Sequence, residues 1–210
     1  MDKSDEIIFV IDDDSSVRRS LSHFLTAVDY KVETFASSEE FLKRERHNGT
    51  GCIILDVYLE GKSGLQLQDE LIVRESSLPV IFVTGKGSIS MSVNTLKKGA
   101  VNFLEKPIKD EELLTSIAEA LALSKKSKAD RIETDNAHRL MDSLTPRETE
   151  IVKYIISGML NKQIAYVLGI AEHTIKLHRH NICEKLGVKS VPEIIQIAFR
   201  AGITPSVKVL

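Results

Sequence analysis

Between residues 7 and 121, five short apolar runs alternate with amphipathic segments, and this alternation restricts the chain more than any other feature of it. The runs are Ile7–Ile11, Tyr30–Phe35, Cys52–Asp56, Pro79–Thr84 and Val101–Leu104. Each is too short for a helix, and most are apolar nearly throughout, as strands buried on both faces must be. The intervening segments carry apolar residues at helical spacing: Val17, Leu21, Phe24, Leu25 and Val28 in the first, Phe41 and Leu42 in the second, Leu65, Leu67, Leu71 and Ile72 in the third. Ser37 or Ser38 is placed to cap the second helix. Turns are expected at Asn48–Gly51 and Glu60–Gly64, a fourth helix from Ser88 to Lys98, and a fifth from near Asp110. Alternation of this kind predicts an α/β fold, a doubly wound five-stranded parallel sheet.

In such sheets ligands bind beyond the carboxyl ends of the strands. Those ends present Asp12 and Asp13 after the first strand, Asp56 at the end of the third, Thr84 at the fourth and Lys106 after the fifth. Singly, Asp56 reads equally well as a loop aspartate capping the next helix, Thr84 as a cap, and Lys106 as the partner of an acid. Together they form a chemical set. Converging carboxylates raise one another's pKa unless a cation compensates them, and an all-oxygen site that keeps several waters suits Mg²⁺. One carboxylate is then free to attack a phosphoryl group, while Lys106 and the Thr84 hydroxyl meet the charge on its oxygens.

Charge divides the chain. Residues 1–124 hold 14 basic and 21 acidic side chains, residues 125–210 hold 14 and 9. An acidic first part and a basic last part imply different partners. No apolar run has the roughly 20 residues of a membrane span, and the N-terminus is acidic, so a cytoplasmic protein without membrane contact is expected. Cys52 and Cys183 lie far apart and read as reduced, half-buried or buried thiols.

After Leu121 the chain turns polar at Ser124–Lys128 and lacks Pro and Gly through residue 140. A helical linker over residues 124–141 is expected, with Ile132 and Leu140 as its apolar contacts. The next unit, residues 142–210, opens with Thr145-Pro146-Arg147-Glu148: an N-cap, a proline at the first helical position and a capping-box glutamate. Its first helix buries Ile151, Val152, Ile155 and Ile156. Asn161 is expected to cap a short second helix bearing Ile164, Ala165 and Leu168. After Gly169 a third helix, Glu172–Leu186, turns Ile175, Ile182 and Leu186 inward and His173, Lys176, Leu177, His180 and Glu184 outward. Short helix, turn, longer helix is a helix-turn-helix, whose outward face suits a DNA major groove.

Two resemblances cover most of the chain. Val10–Asp14, the strand ending in Asp56, Val83-Thr84-Gly85 and Phe103–Pro107 resemble, in order and spacing, a CheY-like response-regulator receiver domain over residues 1–123. The resemblance implies that Asp56 accepts a phosphoryl group from a sensor histidine kinase. It further implies that Asp13, Asp56 and the backbone carbonyl of Tyr58 hold Mg²⁺, with Asp12 acting through water. Thr84 and Lys106 would bind the phosphoryl group, Thr84 and Phe103 would form the switch, and Lys106–Pro107 would be cis. Glu60, where the family usually has proline, and Lys86-Gly87-Ser88 depart from the pattern. A phosphatase of the haloacid-dehalogenase type would use Asp12 and Asp14, but has no use for Asp56 and wants a further acidic motif that nothing after Lys106 supplies convincingly.

Leu144–Glu148, Asn161–Ala165, Thr174–His178 and Leu186–Val188 resemble the LuxR-type DNA-binding domain of FixJ/NarL-class regulators. By that resemblance Lys176, Leu177 and His180 face base edges, while Thr174, His178, Arg179 and Lys185 lean toward phosphates, and the last helix forms a dimer contact. Ala171 stands where the family usually opens its recognition helix with serine. The implied protein is a two-component response regulator. It is phosphorylated on Asp56, dimerises when phosphorylated, binds promoter DNA and, with RNA polymerase, activates transcription. It is not an enzyme beyond phosphorylating itself and slowly losing the phosphate.

Overall fold

The computed structural model describes residues 6–85 and 89–205, and residues 89–91 by their backbone only. Two compact units meet in sequence between Ala129 and Asp130. In the first, β1 (Glu6–Ile11), β2 (Lys31–Phe35), β3 (Thr50–Asp56), β4 (Val80–Thr84) and β5 (Asn102–Glu105) form one sheet. Their order is β2-β1-β3-β4-β5, all parallel. Side chains alternate across a strand, and the two faces sort accordingly. Ile8, Val10, Cys52, Ile54, Ile81 and Val83 pack with Leu21 and Leu25 of α1 (Ser15–Ala27) and with Leu113 and Ile117 of a later helix. Phe9, Ile11, Ile53, Leu55, Val80 and Phe82 pack on the other face with Phe41 of α2 (Ser38–Lys43) and with Leu67 and Leu71 of α3 (Gly64–Val73).

Local chemistry starts the helices. Asp14 caps α1, its side chain accepting from the Ser16 N–H at 2.7 Å. Of the two candidate serines, Ser37 caps α2. Ser63 and Gln66 close a capping box on α3. The fourth helix, α4, spans Ile89–Lys97; its expected start at Ser88 lies outside the described residues. The turn expected over Asn48–Gly51 is shorter than that, because Thr50 and Gly51 already pair in β3. Gly51 fits there because it lies against Ile7: a Cβ on it would sit 2.5 Å from the Ile7 carbonyl oxygen.

The expected helical linker is part of α5 (Asp110–Asp142), a single helix of 33 residues. Two contacts carry it past Leu121. The Gly51 N–H donates to Ser124 Oγ at 3.1 Å, and Lys125 pairs with the nearly buried Glu6 at 2.6 Å. Its later residues do not bury as expected: Ile132 is half-exposed, and the side chains that enter the second core are Ala137 and Met141, with Leu140 beside them. No helix among the described residues is long and apolar enough to cross a membrane.

The second unit continues with α6 (Pro146–Ile156), α7 (Asn161–Leu168), α8 (Glu172–Leu186) and α9 (Val191–Arg200) around Ile151, Val152, Ile155, Ile164, Ile175, Ile182, Leu186, Ile194 and Ala198. Thr145 and Glu148 form the expected capping box on α6. Asn161 does not cap α7. It is the first helical residue, Leu160 occupies the cap position, and Gln163 Oε1 accepts from the Leu160 N–H at 2.7 Å. Ala171 occupies the N-cap of α8 in extended geometry with no side-chain hydrogen bond, so one first-turn N–H lacks the oxygen that serine would supply.

Glu148 is almost fully buried and takes the Lys185 ammonium at 2.6 Å in addition to its bonds with Thr145. Burial works to raise its pKa, but the hydrogen bonds from Lys185 and Thr145 outweigh it and hold the carboxyl below its ordinary 4.5. Its ionised form therefore stabilises the fold above that ordinary value, and the contribution is lost as pH falls through the lowered one. Glu148→Gln should lower the stability of this unit by about 1–3 kcal/mol at neutral pH. Native-state hydrogen exchange of α6 and α8 amides should show the gap to wild type narrowing on acidification. Ala171→Ser should act in the opposite direction, slowing exchange in the first turn of α8 by an amount worth about 0.5–2 kcal/mol.

Candidate functional site

The strand order decides which carboxylates meet. β1 and β3 are neighbours with Ile11 opposite Leu55, so Asp12 and Asp56 follow side by side at the spacing of adjacent strands. Asp12 is 2% and Asp56 8% exposed, while Asp13 is open to solvent. β5 delivers Lys106 to the same place: its N–H donates to the Thr84 carbonyl at 2.8 Å, and the following Lys106–Pro107 bond is cis as expected. Lys106 Nζ then reaches both carboxylates, donating to Asp12 Oδ2 and Asp56 Oδ2 at 2.7 Å each.

The remaining carboxylate oxygens are held by backbone. The Asp14 N–H donates to Asp12 Oδ1 at 2.9 Å, and the Tyr58 N–H donates to Asp56 Oδ1 at 3.1 Å. Tyr58 thus touches the site through its amide. Burial pushes the Asp12 carboxyl above its ordinary 3.8, with the Lys106 hydrogen bond pulling the other way. For Lys106, burial works to lower the pKa, but the hydrogen bonds it donates to Asp12 and Asp56 outweigh it and raise the pKa. The ammonium is a fixed positive charge between two buried acids. One oxygen from each of Asp12, Asp13 and Asp56 lies within 4.8 Å of the other two. Oxygen donors at that separation, with solvent access on the Asp13 side, fit a hard divalent cation that keeps several waters.

Thr84 ends β4 fully buried, and Phe103 on β5 is half-buried with its ring 6.3 Å from that of Phe82. Glu60 is exposed on the loop after Asp56. Two supporting residues escape a reading of strand ends. Arg18 of α1 donates to the Asp12 carbonyl at 2.6 Å. Gly64 sits so close that a Cβ on it would lie 2.1 Å from the Asp56 carbonyl oxygen. The only sequence trace of the first is an arginine six residues beyond Asp12; the second shows as a glycine where the turn meets α3.

The second candidate surface is α8. Ile175, Ile182 and Leu186 are buried as expected, and Lys176, Leu177 and His180 are exposed, Leu177 to 59%. Thr174, His178 and Arg179 are half-exposed. Lys176 pairs with Glu172 one turn earlier at 3.3 Å, an exposed contact of little energetic weight. Lys185 is differently placed, since its ammonium is engaged with the buried Glu148.

Comparison with known proteins finds a family for each of the two units. The family model for the response regulator receiver domain matches residues 8–118, and that for the bacterial regulatory proteins of the luxR family matches residues 142–198. Nodulation protein W of Bradyrhizobium diazoefficiens is 38% identical over 198 residues, which are 94% of this chain and 87% of that protein. The transcriptional regulatory protein FixJ of Azorhizobium caulinodans is 34% identical over 95% of this chain and 94% of its own. Among solved structures, that of the response regulator StyR shares 39% identity with a TM-score of 0.82, covering 94% of this chain and all of that one. The chain belongs to the two-component response regulators that join a receiver to a LuxR-type DNA-binding domain, and it is a transcriptional regulator.

Proposed function

We propose that Asp56 is the phospho-acceptor of this regulator, and that its phosphorylation drives dimerisation and binding to promoter DNA. The observation that carries the reading is the Lys106 ammonium joined at 2.7 Å to both Asp12 and Asp56. In the transfer, an oxygen of the Asp56 carboxylate attacks phosphorus, the bond from phosphorus to the kinase histidine nitrogen breaks, and the electron pair stays with the imidazole. The Tyr58 N–H and Lys106 orient the attacking carboxylate, and Lys106 and the Thr84 hydroxyl meet the charge on the phosphoryl oxygens. Asp13, Asp56 and the Tyr58 carbonyl would hold Mg²⁺, with Asp12 contributing through water; the ion supplies charge neutralisation for the approaching phosphoryl group. No turnover of an external substrate is expected beyond self-phosphorylation and slow loss of the phosphate.

The phosphorylated aspartate adds about −1.5 to −2 charges at the site by analogy with other phospho-side chains. Lys106 then divides its charge between Asp12 and the phosphoryl oxygens, Thr84 is drawn inward, and Phe103 follows. Converting a mostly inactive population to a mostly active one takes roughly 5 kcal/mol of preferential stabilisation, to which dimerisation contributes. The active dimer places α8 in the major groove, with Lys176, Leu177 and His180 toward base edges and Thr174, His178, Arg179 and Lys185 toward phosphates. We assign residues 1–123 to the receiver, 124–141 to the linker and 142–210 to the DNA-binding domain. The cytoplasm is its place of action, a sensor kinase and RNA polymerase its protein partners, and activation its effect.

Acetyl phosphate with Mg²⁺ should add the mass of one phosphoryl group to the full chain, shift it toward dimer and tighten its binding to target DNA. Asp56→Asn should abolish all three responses; an adduct that persists in that variant removes the assignment. On DNA, Lys176→Ala or His180→Ala should cost about 1–3 kcal/mol and relax sequence preference, whereas Arg179→Ala should weaken all sequences alike and reduce the salt slope by about one. Binding titrations over a range of salt concentrations separate the two.

A further inference from the structure

A cavity of about 350 Å³ lies at the opposite end of the receiver sheet from Asp56. It is bounded by the C-terminal ends of α2 and α3 and by the loops that lead from them into the amino ends of β3 and β4. Its floor is apolar, built from the buried Phe41, Leu71 and Leu78. Its rim carries three guanidinium groups, from Arg44, Arg46 and Arg74. A floor without polar groups under a rim of donors is the composition of a small-molecule site, and the volume lies at the lower end of the range such sites occupy.

The three arginines differ in what already balances them. Arg44 is paired with Glu33 at 3.1 Å, lies over the Phe9 ring at 4.2 Å and donates to the Glu45 carbonyl. Arg74 is paired with Glu70 at 2.5 Å and donates to the Leu42 carbonyl. Each also stands at the C-cap of a helix, where the partial negative charge of the helix end offsets part of its own. Both are thereby fixed in position and compensated, while keeping N–H groups unspent. Arg46 donates to the Glu75 carbonyl, and among the described residues it has no carboxylate partner. Glu45, the one acid of the lining, is exposed. Arg46 is exposed as well, and Glu70 is shared with Lys62; with Arg44, Arg46, Arg74 and Lys62 set against Glu33, Glu70 and Glu45, the rim offers many donors and a net positive charge of about one.

We propose that this cavity binds a monoanionic carboxylate on a compact apolar body, with the carboxylate on Arg46 and the apolar part on Phe41, Leu71 and Leu78. A dianion would meet too little positive charge, and a neutral analogue would forgo the charge-assisted contact with Arg46. The site is separate from the strand ends that carry Asp56, so it stands or falls independently of the phosphorylation reading.

The test uses the uniformly labelled full chain, with amide shifts recorded against benzoate, hexanoate, benzyl alcohol, hexanol and inorganic phosphate at constant ionic strength. Benzoate or hexanoate should give saturable shifts confined to residues 41–50 and 71–80. The matching alcohol should bind about tenfold more weakly, the scale of one charge-assisted hydrogen bond. Arg46→Gln, on the exposed loop, should reduce carboxylate affinity by a similar factor and leave the alcohol unchanged. Equal binding of acid and alcohol would reduce the cavity to an apolar crevice, and equal binding of phosphate would reduce it to a cationic patch. Either result, or the absence of saturable shifts in the wild-type chain, overturns the proposal.

Discussion

The Lys106 ammonium between Asp12 and Asp56 is the contact on which the receiver's chemistry depends. Two carboxylates carried out of water on adjacent strands would otherwise repel. The ammonium offsets that repulsion, and in the proposed transfer an arriving phosphoryl group would offer it a third acceptor. A residue that stabilises the resting site is thus positioned to stabilise the modified one, and the two 2.7 Å bonds set how much attraction the phosphoryl group must compete with.

The sheet supplies that geometry because it is parallel and ordered β2-β1-β3-β4-β5. With every strand running the same way, all carboxyl ends fall on one edge, and the site residues reach it from four strands separated by long stretches of chain. The same arrangement makes α5 useful at the other edge. Ser124 and Lys125 tie it to Gly51 and Glu6 at the amino ends of β3 and β1, so the helix does not end where its apolar stripe ends at Leu121. One continuous helix therefore supplies Leu113 and Ile117 to the first core and Ala137 and Met141 to the second.

The elements of both units could be read from the sequence because short apolar runs and helical patterns are local. So could the residues at the strand ends, since four of the five runs end abruptly on a polar group. What could not be read is adjacency. Nothing in the runs Ile7–Ile11 and Cys52–Asp56 says that they are neighbours with β2 outside them, yet this alone places Asp12 against Asp56. Gly51 looked like a turn residue because glycine usually is one; its role in β3 comes from contact with Ile7 across the sheet. Asn161 looked like a cap by residue type, but a Gln163 side chain reaching back to the Leu160 N–H supports the start of α7 one residue earlier. Ile132 looked buried in a polar stretch, whereas the face of α5 that enters the second core runs through Ala137 and Met141.

The recognition helix shows how unevenly a helix is held. Its C-terminal end has Gly187 in the left-handed conformation as a cap, Leu186 in the core, and Lys185 bound to the buried Glu148. Its N-terminal end has Ala171 and no side-chain acceptor for the first-turn N–H groups. In the proposed complex, a DNA phosphate would meet the first-turn N–H groups that no side chain caps and the positive end of the helix dipole. A serine at position 171 would answer the same groups internally, stabilising the free protein and removing part of what the phosphate supplies. Lys185 works in the reverse sense. Its charge is already committed to Glu148, so a phosphate near it gains only what that ion pair gives up. On the proposed reading, the phosphate contacts of this helix would draw more on the end that carries Thr174 than on Lys185, whose contact with a phosphate would compete with Glu148.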